Sequence, residues 1–98
     1  MPRYIIERTV PALSREELAA VARRSIAVLQ GMPDVRWIRS YVIAEEDGTL
    51  GSVCIYQAVS PEAIREHAHR VGMPADEIWH AVDTVVIRPD PDRQPVAS

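Results

Sequence analysis

The chain has 98 residues, 47% hydrophobic and 26% charged, a balance that fits one globular domain and excludes wholesale disorder. Eleven basic residues, all arginine, stand against fourteen acidic ones for a formal net charge of −3, and no basic run offers a footprint for nucleic acid or an anionic membrane surface. A chain this short buries only about 60–70% of the surface it exposes unfolded, so pairing with a second copy is expected on stability grounds.

Residues 3–10 are rich in β-branched and aromatic side chains and end at Pro11, which cannot donate to a ladder, so they read as a first strand. Tyr4, Ile6, Arg8 and Val10 share one face; Ile5, Glu7 and Thr9 share the other. A mid-strand carboxylate such as Glu7 needs water, a site or an arginine, and Arg8 or Arg39 could serve. Ser14 and Glu17 form a capping-box pattern that opens a helix. Leu18, Val21, Ala22, Ser25, Ile26 and Leu29 recur at helical spacing, and Gly31 is placed to close the helix in the left-handed conformation. Alternation over residues 35–44 predicts a strand with Trp37, Arg39, Tyr41 and Ile43 on one side. Asp47-Gly48 signals a hairpin, and residues 50–59 return as a strand with Ser52, Cys54 and Tyr56 on one face.

Ser60-Pro61 restarts a helix with Ile64, Ala68 and Val71 inward, ending at Gly72. After Met73-Pro74, residues 75–79 are expected to form one short turn and residues 81–88, AVDTVVIR, the last strand. The domain is thus expected over residues 1–88, with the three prolines of residues 89–98 marking a mobile tail. The order βαββαβ predicts an α+β, ferredoxin-like arrangement: an antiparallel sheet in the order 4-1-3-2, with both helices on one face. Trp37, Tyr41, Cys54 and Tyr56 are placed on the other face, where two copies packed sheet to sheet would enclose them.

One cysteine cannot staple the chain to itself, and the opening MPRYIIERTV lacks a secretory pattern, so a cytoplasmic protein is expected. No apolar stretch approaches the roughly 18–20 residues that span a bilayer.

Chemistry concentrates in VCIYQAVSPEAIREHAHRVGMPADEIWHA, which holds the cysteine and all three histidines. Glu66 and His69 stand at i and i+3 on the exposed helix face, and Glu77 and His80 repeat the spacing; Glu-x-x-His presents a carboxylate and an imidazole to one metal in helical bundles. The competing reading is solvated surface pairs. His67 borders the buried stripe and reads either as a structural histidine bonded to a backbone carbonyl or as a ligand or proton-transfer group. Cys54 reads as a small buried hydrophobe or as a nucleophile or ligand, and Tyr41 and Tyr56 as core or interface rings.

MPRYIIERTVP, DVRWIRSYV and above all Cys-x-Tyr-x-Ala followed by SPEAIREHAHRVGMPADEI resemble a family of small bacterial nickel-binding, ferredoxin-like homodimers, over nearly the whole chain to about Val86. The chain departs from typical members in its longer hairpin at residues 45–51, in His69 and in His80. The resemblance implies a homodimer holding nickel at surface sites and buffering or sequestering it. Side-chain chemistry then nominates His69, Glu66, His80, Glu77 and Asp76 as metal ligands. The alternative is a small enzyme or ligand binder with Trp37, Tyr41, Cys54, Tyr56 and His67 around a cavity between the paired sheets.

Overall fold

The computed structural model describes residues 1–10, 14–75 and 77–88. Its elements run β1 (Arg3–Val10), α1 (Arg15–Leu29), β2 (Val35–Ala44), β3 (Leu50–Ala58), α2 (Pro61–Val71) and β4 (Glu77–Ala81). The four strands form one antiparallel sheet in the order β2-β3-β1-β4, or β4-β1-β3-β2 counted from the other edge. Both helices pack on one face of it: Val28 and Leu29 from α1 and Ala63 and Ile64 from α2 meet Tyr4, Ile6, Val35, Cys54, Tyr56 and Ala58 from the sheet.

Local chemistry sets the element ends. At the start of α1 the Ser14 hydroxyl accepts from the Glu17 N–H at 3.1 Å while the Glu17 carboxylate accepts from the Ser14 N–H at 3.2 Å, satisfying two orphan donors. Ser60 caps α2 through the Ala63 N–H, Pro61 follows at the tolerated first turn, and Gly72 ends the helix at φ +80°. Gly48 turns the hairpin at φ +86°. There the Thr49 hydroxyl and N–H both donate to Asp47, holding its carboxyl below the usual range. Gly31 takes no left-handed part, because α1 closes on Gln30 in the right-handed conformation.

Two expectations fail for reasons of register. The last strand is Glu77–Ala81, so the expected turn at residues 75–79 is mostly strand and the expected strand at 81–88 is not one. Sequence 81–88 is the richer in β-branched residues, but pairing decides: β1 offers Arg3 to Glu7 as its free edge, and Glu77 to Ala81 occupy it with Ile78 opposite Ile6. Residues 82–88 leave the sheet with Val82, Val85, Val86 and Ile87 68–91% exposed. In β2 the register slips between Trp37 and Arg39, so that Ile38 is an extra residue and the alternation changes phase. Trp37 therefore lies opposite Tyr56 on the helix side, while Arg39, Tyr41 and Ile43 lie opposite Ile55, Val53 and Gly51 on the open side.

The placement of Trp37, Cys54 and Tyr56 on the open face is thereby corrected. Cys54 and Tyr56 sit across from Ile6 and Tyr4 beneath the chain's own helices, 3% and 1% exposed, and Trp37 joins them. Only Tyr41 remains outside. Alternation in β3 is real on both faces, Val53 and Ile55 against Cys54 and Tyr56, and so could not reveal which set faced inward. Glu7 and Arg8 likewise point to opposite faces, which excludes Arg8 as the partner of Glu7. The tail at 89–98 and Asp76 lie outside the described residues.

Candidate functional site

Beneath the helices a polar network crosses the core. Arg8, 5% exposed, donates from Nε to the Pro74 carbonyl at 2.7 Å and from Nη1 to Cys54 Sγ at 3.1 Å. Its guanidinium carbon stands 5.6 Å from the centre of the Tyr56 ring, a cation–π distance. Tyr56 stacks on Trp37 at 6.1 Å and tilts against His67 at 5.7 Å. Burial pushes the Tyr56 phenol above its ordinary value, with the Arg8 charge opposing the shift. His67, 1% exposed, meets Ser25 Oγ through Nε2 at 3.1 Å, tying α2 to α1. Its Nδ1 is buried without a partner. Donation from Nε2–H to Ser25 leaves an idle lone pair on Nδ1, whereas the other tautomer would strand a buried N–H, the costlier defect.

Desolvation lowers the His67 pKa from 6.5; the Ser25 backbone opposes this and the Arg8 charge adds to it. The folded state thus prefers neutral imidazole, and the unfolded chain binds more protons below about 6.5. Stability against urea is therefore expected to be fully present above that pH and to fall as pH drops below it. His67→Gln should flatten the acid limb; an unchanged limb would show that His67 does not carry it.

This network is closed structure rather than a binding pocket. The larger surface groove described, about 860 Å³, lies on the open sheet face and takes in Tyr41 but not Trp37, Cys54, Tyr56 or His67. The five residues nominated as an interface cavity therefore do not converge on one.

Exposed donors are separate. Glu66 and His69 lie one turn apart on the solvent side of α2, as their spacing required. Glu66 is held by Arg70 at 2.8 Å, in a pair about half exposed on each side. His80 rests its ring on Tyr4 at 5.2 Å on the helix side of β4. Glu77 lies opposite Glu7 on the open side. On a strand, residues three apart face opposite ways, so Glu77 and His80 do not present their side chains to one ion. Among the described residues no group of three or more His, Cys, Asp or Glu side chains is arranged to hold a metal. Of the nominated donors, Glu66 and His69 are the two that share one exposed helix face.

Reading the sequence missed Ser25 and Arg8 as members of the buried network. Arg8 did leave a signal, a charge sharing a strand face with Tyr4 and Ile6.

A family model described as nickel responsive protein SCO4226-like matches residues 4–80. Among solved structures, the crystal structure of SCO4226 from Streptomyces coelicolor A3(2) is similar to this one with a TM-score of 0.70. That likeness spans 85% of this chain and 99% of the other at 20% identity, and speaks for the fold alone. Comparison with curated proteins gave no match.

Proposed function

The chain belongs to the SCO4226-like nickel-responsive family, and from that premise we propose that it binds Ni(II) or a related divalent transition ion, as a buffer or sequestering protein. The observation that supports this reading is the Glu66–His69 pair on the exposed face of α2. Nitrogen and oxygen donors suit Ni(II) in tetragonal sites, which leaves water or donors of a second copy to fill the remaining positions. With two protein donors the affinity is modest, as a buffer requires.

Arg70 holds Glu66 through Oε1, and its charge opposes a cation beside it. An exposed ion pair contributes about 0.2–1 kcal/mol, so Arg70→Ala is expected to tighten Ni(II) binding by up to about fivefold. Weaker binding in that variant would mean that Arg70 helps to present the carboxylate. The reading as a whole is tested by calorimetric titration of the metal-free protein with Ni(II), wild type against Glu66→Ala with His69→Ala. Loss of the heat supports it, and unchanged heat removes it.

The same proposal includes a cytoplasmic homodimer of ferredoxin-like protomers, packed through the open sheet face. Ile5, Ile55, Tyr41, Ile43 and Trp79 lie there; the last three are 41–47% exposed although residues 83–88 line the same groove, and apolar side chains left this exposed on a sheet face are a liability that a second layer removes.

A further inference from the structure

After β4 the chain turns back over the open sheet face. Ala81 ends the strand opposite Arg3, and residues 83–88 then line the groove of about 860 Å³ together with the sheet. The sheet side of that groove takes in every strand: Ala81 of β4, Arg3 and Ile5 of β1, Ile55 of β3, and Ile38 and Tyr41 of β2. Three strand spacings of about 4.8 Å make the crossing roughly 14 Å, and seven extended residues span up to roughly 23 Å. Residues 82–88 are therefore long enough to pass from one edge of the sheet to the other.

Their start is pinned, because Arg3 Nη1 donates to Thr84 Oγ1 at 3.4 Å. Past Thr84, no hydrogen bond fastens Val85, Val86 or Ile87 to another described residue. Both walls of the groove keep apolar surface in water. Val82, Val85, Val86 and Ile87 are 68–91% exposed, and Ile38 and Tyr41 on the sheet side are 44% and 47% exposed. Bringing such surfaces together is favourable in proportion to the area removed from water, and here both belong to one chain, so closure requires only the ordering of a short segment. Residues 82–88 also lie past the residues 4–80 that the family model matches, outside the part of the chain shared with that family.

We infer that residues 82–88 are a strap that closes across the open sheet face of its own chain and gates what reaches that face. Thr84, held at Arg3, is the hinge end; Val85, Val86 and Ile87 are the closing part, seated on Ile5, Ile55 and Tyr41. A second copy lies on that face only where the strap is displaced, so the strap lowers the apparent affinity of pairing in proportion to the fraction of chains in which it is open. That consequence rests on the reading above that a second copy covers the face; the closure itself does not.

The test replaces the closing side chains in the full chain, Val85→Ser with Val86→Ser and Ile87→Ser, and reads dimerisation by sedimentation velocity over a dilution series, with circular dichroism as the check on folding. These positions lie off the sheet, so the variant is expected to fold. It is expected to dimerise at least about tenfold more tightly than wild type, the gain when a strap closed in about nine chains of ten is opened. Equal dimerisation of the two overturns the inference and leaves the second-copy reading standing. A weaker dimer in the variant also overturns it, because the segment would then be clasping the partner. A second measurement needs no dimer: binding of the apolar dye bis-ANS at a dilution where both proteins are monomeric. Opening a closed strap uncovers the sheet, so the variant is expected to bind at least about twofold more dye. An equal or smaller signal overturns the inference, since side chains already in water only take dye-binding surface away when they are replaced. If neither protein dimerises at any concentration, the second-copy reading falls and the dye alone decides the strap.

Discussion

Tyr56→Ala is expected to destabilise the fold by about 3–5 kcal/mol, the range for truncating a large buried aromatic side chain. Tyr56 is 1% exposed and touches Trp37, His67 and Arg8 at once, so the cavity would sit where both helices meet the sheet. Domain stabilities run about 5–15 kcal/mol, and a 98-residue chain sits low in that range, so much of its margin would go. Urea denaturation measures the loss. The same experiment decides where the ring lies. A ring inside the protomer gives a loss independent of protein concentration, whereas a ring in a dimer interface gives one that fades as the protein is diluted. Concentration dependence of the difference would contradict the placement beneath the helices.

His69→Ala is expected to weaken Ni(II) binding by at least about tenfold, because a site with two protein donors loses its only nitrogen. His80→Ala is expected to leave the titration unchanged, since that imidazole packs on Tyr4 and its neighbour at the same spacing, Glu77, faces the other way. The pair of single variants separates a helix site from a generic affinity of exposed histidines. If both lower the heat equally, the ion does not choose the α2 pair. Acid weakens binding in either case, because imidazole must be neutral to ligate, so the comparison belongs at one pH above 7.

Much of the framework was legible because it is written locally. Ser14 with Glu17, Ser60 before Pro61, Asp47-Gly48 and Gly72 each solve a backbone problem within a few residues, and the structure uses each as read. Facing was harder. One extra residue at Ile38 reverses the rest of β2, and nothing in VRWIRSYV distinguishes a strand with a bulge from one without. The β4 position was misread because AVDTVVIR has the stronger strand composition, yet composition cannot say which segment finds the free edge of β1. For the site, Glu66 and His69 were readable because helical spacing puts i and i+3 on one side whatever the tertiary context. Glu77 and His80 carried the same spacing into a strand, where it means the opposite. The link from Arg8 to Cys54 depends on pairing Ile6 with Cys54 and on the path of the chain at Pro74, both products of the whole fold.

A crystal grown with Ni(II) and measured for anomalous scattering at the nickel edge locates the ion without assuming its ligands. The expected map holds a peak between the Glu66 carboxylate and the His69 ring on the outer side of α2. A map with nickel elsewhere on the protein and none at that turn of the helix would contradict the assignment.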